Sequence, residues 1–191
     1  MCSSLPGRSL TGSNMITKLK EHLWILIPAV IFITTGLLFW LMGAFLPEWI
    51  RWQNHERLTA ERVISLKNRR LTVEQDGKEF YKTPLFTHVQ DFLYFDINGD
   101  GEDELIMLVW KRGSYGEHKP TWVLRDEIDF SQHIFIYSFL EDRLKPIWMS
   151  SKLGIEVVSF DAPAERTIRL KEPDGTETDW VWLSFGLTLK E

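Results

Sequence analysis

The stretch Asp96-Ile97-Asn98-Gly99-Asp100-Gly101-Glu102-Asp103-Glu104 decides how the chain is interpreted, because oxygen-bearing side chains fall at its positions 1, 3, 5 and 9. Calcium takes six to eight oxygen ligands at about 2.3–2.6 Å and needs a tight turn to bring them together. Gly101, at position 6, can adopt a backbone conformation that a Cβ would penalise, so the chain can fold back there. The stretch predicts a calcium loop with ligands from Asp96, Asn98, Asp100, Glu102 (through its carbonyl) and Glu104.

The flanking segments distinguish this loop from an EF-hand. An EF-hand has helices on both sides and a Glu at position 12, where this chain has Met107. Met107 lies in the apolar run 105–110, whose length and β-branched and aromatic members favour a buried strand. Residues 89–95, before the loop, are also strand-like. The arrangement is therefore predicted to be strand, calcium loop, strand.

This arrangement resembles the FG-GAP/VCBS type of calcium-loop repeat, which is known from integrin-like β-propellers and from many bacterial surface proteins. The resemblance covers residues 89–110, occurs once in 191 residues, and has Glu104 where the family usually has Asp. It implies a calcium-stabilised β-turn, and more weakly a propeller, which needs several copies. The alternative is a solvated Asp/Asn/Gly turn without a metal. The matching residues are Asp96, Asn98, Asp100, Gly101 and Glu104, followed by an apolar strand.

Charge and cysteine content exclude several classes of protein. The net charge is −5; residues 1–46 carry three basic residues and one acidic residue, so residues 47–191 carry −7. An acidic domain argues against binding to nucleic acid or to an anionic lipid surface. The single cysteine, Cys2, allows neither an intrachain disulfide nor a cysteine zinc site.

The N-terminal region predicts a membrane anchor. Residues 23–46 contain no charged residue, and a helix of that length reaches ~36 Å, enough to cross a ~30 Å hydrocarbon core. The run is too long for the apolar region of a cleaved signal peptide, and a buried core helix would be expected to have a polar face. We predict a cytoplasmic tail at residues 1–22, with residues 1–14 disordered and Met15 as the true initiator, and a transmembrane helix at residues 23–46.

The orientation of the span follows from the calcium loop. Lys and Arg near the two ends of the span favour neither side. A calcium site with few ligands is typically weak, with a Kd of about 10⁻⁴–10⁻³ M, and fills outside a cell rather than in the cytosol. We therefore predict that the C-terminal domain is extracytoplasmic.

The remainder of the chain predicts a β domain. Residues 47–62 are polar and are interpreted as a juxtamembrane stalk or a helical extension. From residue 63 onward, short strands recur about every ten residues, as in a sandwich, barrel or propeller. No helix is predicted after residue 70, and residues 63–191 are predicted to form an all-β domain, propeller-like or an open sandwich. The predicted strands are 63–66, 71–74, 79–82, 89–95, 105–110, 133–139, 144–149, 155–160, 167–170 and 180–185.

A second set of candidate residues lies in and after the long loop that begins at Lys111. Long loops on a rigid scaffold often carry function. No H-x-x-x-H or hydrolase-elbow spacing is present, so an ordinary loop and strand-end role is favoured for the histidines over a metal or acid–base site with the acidic residues 126, 127 and 129. The candidate ligand-binding residues are Tyr115, His118, Trp122 and His133.

Flat aromatic rings suggest a further possibility, because such rings stack on sugars. The alternative is that they form the core of a small β domain, and this is favoured because most of them lie in strand patterns with apolar neighbours. The residues concerned are Tyr115, Trp122, Trp148, Trp180 and Trp182.

The sequence as a whole predicts a single-pass, membrane-anchored surface protein. Its β domain is expected to hold Ca²⁺ structurally and to act as a non-catalytic binding module for a protein or glycan ligand, and not for nucleic acid. Two alternatives stay open: a surface hydrolase that uses residues 112–133, and a carbohydrate- or cell-wall-binding module.

Overall fold

An apolar helix forms the N-terminal part of the chain. The structure is a computed structural model that describes residues 13–116, 118–141 and 143–190. Residues 1–12 of the predicted cytoplasmic tail at residues 1–22, which include most of the segment predicted to be disordered, lie outside the described residues. Helix α1 runs from Ser13 to Leu41, and its side chains are exposed from residue 23 to residue 39. The part Leu23–Leu41 is long and apolar enough to cross a membrane, a property that signal sequences share.

The end of α1 is set by a glycine. The Gly43 N–H donates to the Trp40 carbonyl at 3.2 Å, and the Ala44 N–H donates to the Phe39 carbonyl at 3.0 Å. This pair of bonds is a Schellman motif, and Gly43 has the positive φ of 68° that the motif requires. The helix therefore ends at Leu41, five residues before the predicted boundary at residue 46.

Residues Leu46–Glu191 form a second compact unit built from three antiparallel sheets of four strands. Each sheet uses four strands that are consecutive in the sequence, and neighbouring strands pair in chain order. The first sheet contains β1 His55–Leu58, β2 Arg62–Lys67, β3 Arg70–Gln75 and β4 Lys78–Lys82. The second contains β5 His88–Phe95, β6 Glu104–Arg112, β7 Phe130–Phe139 and β8 Leu144–Met149. The third contains β9 Ser159–Ala164, β10 Thr167–Lys171, β11 Glu177–Leu183 and β12 Gly186–Leu189.

The middle sheet is buried on both faces, which explains its long apolar strands. Alternate residues of β6 point to opposite sides: Met107 belongs to a hydrophobic cluster with the first sheet, and Leu108 to a second cluster with the third sheet. The first cluster includes Ile64 and Leu71, and the second includes Ile168. A sheet covered on both faces reads as a continuous apolar run rather than as an alternating pattern.

Most of the predicted strands are confirmed. The turn Gln75-Asp76-Gly77 joins β3 to β4, with positive φ at both Asp76 and Gly77. Two consecutive positive φ values are typical of the hairpin turn whose twist matches that of the flanking strands. In the part of the chain that the structure describes, no helix follows α1.

The region 47–62, predicted as a stalk or helical extension, belongs in large part to the β domain. Its residues 55–58 form β1, which pairs with β2. The Trp49 ring packs against the Trp110 ring of β6 at 5.8 Å, and the Gln53 N–H donates to the Gln90 carbonyl at 2.9 Å. Residues 46–62 therefore belong to the same compact unit as the three sheets, and the boundary predicted at residue 63 falls inside that unit.

Two other predicted boundaries are corrected at the C-terminal end. The strand predicted at 155–160 begins only at Ser159, because the backbone N–H and carbonyl of Val157 bond to the Gln132 side chain rather than to a neighbouring strand. The strand predicted at 180–185 ends at Leu183, and the chain turns back at Gly186 to form β12. Gly186 has a φ of 135°, a backbone conformation that favours glycine.

Candidate metal centre in the 96–104 loop

The predicted calcium loop joins β5 to β6, the first two strands of the middle sheet. The Asp96 carboxylate accepts hydrogen bonds from the Gly99 N–H at 2.6 Å and from the Gly101 N–H at 2.9 Å. Gly99 and Gly101 have φ values of 81° and 91°, which a side chain would strain. Position 1 of the loop therefore fixes its fold, and Gly101 has the positive φ that the sequence predicts for it.

The Asn98 side chain links the other oxygen-bearing residues. Its Oδ1 accepts a hydrogen bond from the Asp100 N–H at 2.7 Å. Its Nδ2 donates to Asp100 Oδ2 and to Glu104 Oε1, each at 2.8 Å. The Glu102 N–H donates to Asp100 Oδ1 at 2.9 Å. The loop thus brings the side chains of positions 3, 5 and 9 together, as the spacing predicts.

Glu104 is the unusual member of this group, because it is a carboxylate with 0% of its surface exposed. Its Oε2 accepts a hydrogen bond from the Ile97 N–H at 3.1 Å. Burial raises the pKa of Glu104 from 4.5 to about 7, and the negative charges of Asp100 and Asp96 also raise it. A buried acid beside two other carboxylates is an arrangement that a bound cation would relieve.

The donor set of the loop suits calcium by its chemistry. All the predicted ligands present oxygen, which hard cations such as Ca²⁺ prefer. Across residues 13–116, 118–141 and 143–190, however, no three His, Cys, Asp or Glu side chains are grouped so as to hold a metal ion. In this conformation the carboxylates of Asp96 and Asp100 accept bonds from loop N–H groups. The Asn98 Nδ2 donates to the carboxylates of Asp100 and Glu104. Metal binding would require the Asn98 amide to turn its oxygen, instead of its N–H groups, toward the cation.

The raised pKa of Glu104 gives the metal-free protein a specific pH dependence. Between pH 4.5 and about 7 the folded protein keeps a proton that the unfolded chain has lost, so the stability that Glu104 contributes falls as the pH rises through this window. In thermal melts of residues 46–191 with a chelator, we expect the melting temperature of Glu104→Gln to decline less from pH 4.5 to 7 than that of the wild type. Parallel curves for the two proteins would contradict the raised pKa.

The structure buries His133, one of the four candidate ligand-binding residues. Its Nδ1 lies 2.9 Å from the Ser150 carbonyl, and its Nε2 lies 2.9 Å from Ser131 Oγ and 3.1 Å from the Gly113 carbonyl. Burial lowers the pKa of His133, so the neutral ring is favoured. These contacts place the ring in the protein interior, where it ties β7 to the ends of two loops.

The other three candidates lie in the loop between β6 and β7. Tyr115 is half-buried, His118 is exposed, and 82% of the Trp122 surface is exposed. Asp126 closes the base of the loop, because its Oδ1 accepts a hydrogen bond from the Ser114 N–H at 2.8 Å. Glu127 forms an ion pair with Lys152 at 3.3 Å.

The C-terminal tryptophans pack inward. Trp182 is buried, and Trp148 and Trp180 pack against the same cluster between the second and third sheets. The Trp148 and Trp182 rings meet edge to face at 6.4 Å. This packing agrees with the core role that the sequence favours for these tryptophans. The three rings do not form an exposed row on which a sugar could stack.

A buried amide network joins the second sheet to the start of the third, and sequence reasoning missed it. Gln90 Oε1 accepts from Trp110 Nε1 at 2.9 Å and from Gln132 Nε2 at 2.8 Å. Gln132 also bonds both backbone groups of Val157, through its Nε2 at 2.7 Å and its Oε1 at 2.8 Å. Glutamines in strands carry no local signal of burial, so only the packing of the sheets reveals this network.

Comparisons of the chain with protein-family models, with curated proteins and with solved structures found no match.

Proposed function

We propose that the chain is a single-pass, membrane-anchored surface protein whose β domain binds calcium in the 96–104 loop and acts as a non-catalytic binding module. The observation that carries the calcium assignment is Glu104, a fully buried acid with a raised pKa beside Asp96 and Asp100. A divalent cation would neutralise this cluster and stabilise the fold, because it binds the folded loop and not the unfolded chain.

The topology supports a propeller-like module. Blades of a β-propeller are four-stranded antiparallel sheets that follow one another in the chain and pack face to face. The three sheets of this protein are also consecutive four-stranded units, and hydrophobic clusters cover both faces of the middle one. We interpret the domain as three blade-like sheets in an open stack, with the calcium loop in the middle one.

The location of the domain follows from its anchor and from its metal. Leu23–Leu41 is exposed along almost its whole length and is apolar enough to cross a membrane. A weak calcium site is filled outside a cell, where calcium is millimolar, and not in the cytosol. We therefore assign the β domain to the extracytoplasmic side.

A binding role fits the candidate residues better than catalysis does. His133 contacts two backbone carbonyls and a serine rather than a carboxylate, and burial favours its neutral form. Trp148 and Trp182 pack in the core, whereas a sugar-binding face would present such rings to solvent. The domain keeps an acidic charge of −7 and an exposed aromatic loop, features that suit contact with another macromolecule.

The calcium assignment is tested by thermal melts of residues 46–191, which form a compact unit. With a Kd of about 10⁻⁴–10⁻³ M, 5 mM calcium should stabilise the fold by about 1–2 kcal/mol, which raises the melting temperature by several degrees. Asp96→Ala/Asp100→Ala should abolish the calcium-dependent rise. The rise should also be larger at pH 7.5 than at pH 5.5, because the metal displaces the Glu104 proton.

The matched control is Asp174→Ala, which removes an exposed acid from a turn outside the loop. Asp174 accepts a hydrogen bond from the Thr176 N–H at 2.9 Å, as the loop aspartates do from their own turn. This variant should keep the full calcium-dependent rise. A wild-type melting temperature that is the same in calcium and in chelator would remove the metal from the proposal.

A further inference from the structure

The chain enters the β domain at one defined end of the middle sheet. Trp49 packs on Trp110, near the end of β6, and the Gln53 N–H bonds to Gln90, near the start of β5. The 96–104 loop joins the other ends of the same two strands, about 23 Å away at 3.3 Å per residue. We call the end that carries Trp49 the entry end.

Two arginines flank a row of three rings at the entry end. The Arg69 guanidinium lies 4.3 Å from the Trp52 ring, and the Arg112 guanidinium lies 4.3 Å from the Phe130 ring. The His88 ring lies between them, 6.4 Å from Trp52 and 5.3 Å from Phe130. Burial and both arginines lower the pKa of His88, so the stack consists of two cations and a neutral imidazole. This concentrates positive charge in a domain of net charge −7.

The loop between β6 and β7 leaves from the same end, because β6 ends at Arg112 and β7 begins at Phe130. It presents large apolar side chains to solvent: 82% of the surface of Trp122, 93% of Leu124 and 68% of Ile128 is exposed. Clustered apolar exposure of this kind marks a contact surface rather than a random feature of a soluble protein.

The apolar side chains are held on an ordered loop that also carries cations. The Lys119 ammonium donates to the carbonyls of Val123 and Leu124, and the Val123 N–H donates to the Pro120 carbonyl at 3.1 Å. Backbone groups that are satisfied internally can enter an apolar phase at low cost. Arg125 is exposed directly beside Leu124. The loop also carries three acids, Asp126, Glu127 and Asp129, and these lie near the cations Lys111, Lys152 and Arg112 respectively. Its tip therefore combines apolar side chains, satisfied carbonyls and the basic side chains of Lys119 and Arg125.

The covalent distance from α1 to the entry end is short. The helix ends at Leu41 and Trp49 already packs on the β domain. Eight residue steps reach at most about 28 Å when fully extended. If α1 crosses a membrane, the entry end is tethered within that distance of the bilayer surface, which raises the effective concentration of lipid at the loop.

We propose that the 118–129 loop docks on the anionic headgroup region of the membrane that α1 spans, with Trp122 and Leu124 inserted at the interface and Arg125 contacting lipid phosphates. Tryptophan is enriched at this depth of a bilayer, and basic side chains are attracted to anionic lipid. The inference rests on the anchor in the proposed function. From the net charge of the β domain, we expect it to avoid anionic lipid. The entry end is an exception to that expectation, because positive side chains of the domain are concentrated there.

Depth measurements on the full chain in lipid nanodiscs test the proposal. In a Cys2→Ser background, Leu124→Cys and Leu58→Cys each take a nitroxide label; Leu58 is 70% exposed and lies on β1, opposite Val63 and away from the entry end. In discs with phosphatidylglycerol, the label at 124 should be accessible to oxygen and shielded from a nickel chelate. The label at 58 should be accessible to the nickel chelate. Discs of phosphatidylcholine alone should weaken the shielding at 124.

Charge variants complete the test. Arg125→Glu should lower the lipid-contacting population at position 124 at least about fivefold, which corresponds to about 1 kcal/mol for each cation near an anionic surface. Arg143→Glu is the matched control, because Arg143 is also exposed but lies in the turn between β7 and β8, at the opposite end of β7. It should leave the population unchanged.

Three results would overturn the proposal. A nickel-accessible label at 124 in anionic discs excludes lipid docking and leaves the loop to a protein partner. Equal shielding in both lipids, unaffected by Arg125→Glu, excludes recognition of anionic headgroups. If the chain does not stay in the discs, both the proposed membrane anchor and this inference are wrong. If the chain stays in the discs and the label at position 124 is accessible to the nickel chelate, only this inference is wrong.

Discussion

Replacing Gln132 by methionine is expected to lower the free energy of unfolding of residues 46–191 by about 3–5 kcal/mol, although the two side chains have similar shapes. Gln132 is buried and makes three hydrogen bonds, to Gln90 Oε1 at 2.8 Å, to the Val157 carbonyl at 2.7 Å and from the Val157 N–H at 2.8 Å. Methionine supplies neither the donor nor the acceptor. Each buried group left without a partner costs about 1–3 kcal/mol.

The loss should fall on the connection between the second and third sheets. Val157 is buried in the cluster that joins them. Its N–H donates to Gln132 Oε1, and its carbonyl accepts from both Gln132 Nε2 and Gln90 Nε2, so the N–H is the group of Val157 that the substitution leaves without this partner. Gln90 would keep its bond to Trp110 at 2.9 Å, so this half of the network limits the damage. The expected cost is therefore below the sum of three fully unsatisfied groups.

Urea unfolding of the two proteins measures this difference. Gln53→Met is the matched control, because Gln53 is exposed and its side-chain Nε2 makes only a long, exposed bond of 3.5 Å to the carbonyl of Arg51, two residues away. The control should change the free energy of unfolding by less than about 0.5 kcal/mol. A loss below 1 kcal/mol in Gln132→Met would mean that water replaces the amide, and that the network does not hold the sheets together.

This network also shows where sequence reasoning reaches its limit. The loop at 96–104 could be predicted because its chemistry is local: Gly101 takes the positive φ, and Asp96 bonds the N–H groups of its own turn. The strand predicted to begin at residue 155 begins at Ser159, because the side chain of Gln132, more than twenty residues away, hydrogen-bonds to the backbone N–H and carbonyl of Val157. Contacts between distant residues leave no pattern in the segment that they change.

The candidate site divides in the same way. Spacing predicted that the loop side chains at positions 1, 3, 5 and 9 would converge on one site, and the structure brings Asp100 and Glu104 to the Asn98 amide. Spacing did not predict that Glu104 would be fully buried or that its pKa would rise to about 7, because burial depends on the packing of the sheets around β6. The entry end was also missed: the mixed polar and aromatic residues 47–54 gave no sign that Trp49 packs on Trp110.

Two adjacent substitutions in β6 are expected to be about equally damaging, although their side chains point in opposite directions. Met107 packs between the first and second sheets, Leu108 packs between the second and third, and at most 1% of either surface is exposed. Truncation of a fully buried Leu or Met to alanine costs about 2–5 kcal/mol, from lost apolar burial and from the cavity left behind. Met107→Ala and Leu108→Ala should each fall in this range.

The equality of the two costs is what distinguishes a stack of three sheets from a single solvated sheet. A sheet with one face in water would tolerate truncation on that face, so one of the two neighbours would be nearly neutral. Leu58→Ala gives the scale for such a position, because Leu58 is 70% exposed, and it should cost less than about 0.5 kcal/mol. Urea unfolding of the three variants measures these values. If Leu108→Ala is nearly neutral and Met107→Ala is costly, the third sheet does not pack on the second. The blade-like arrangement, on which the proposed binding module depends, would then be wrong.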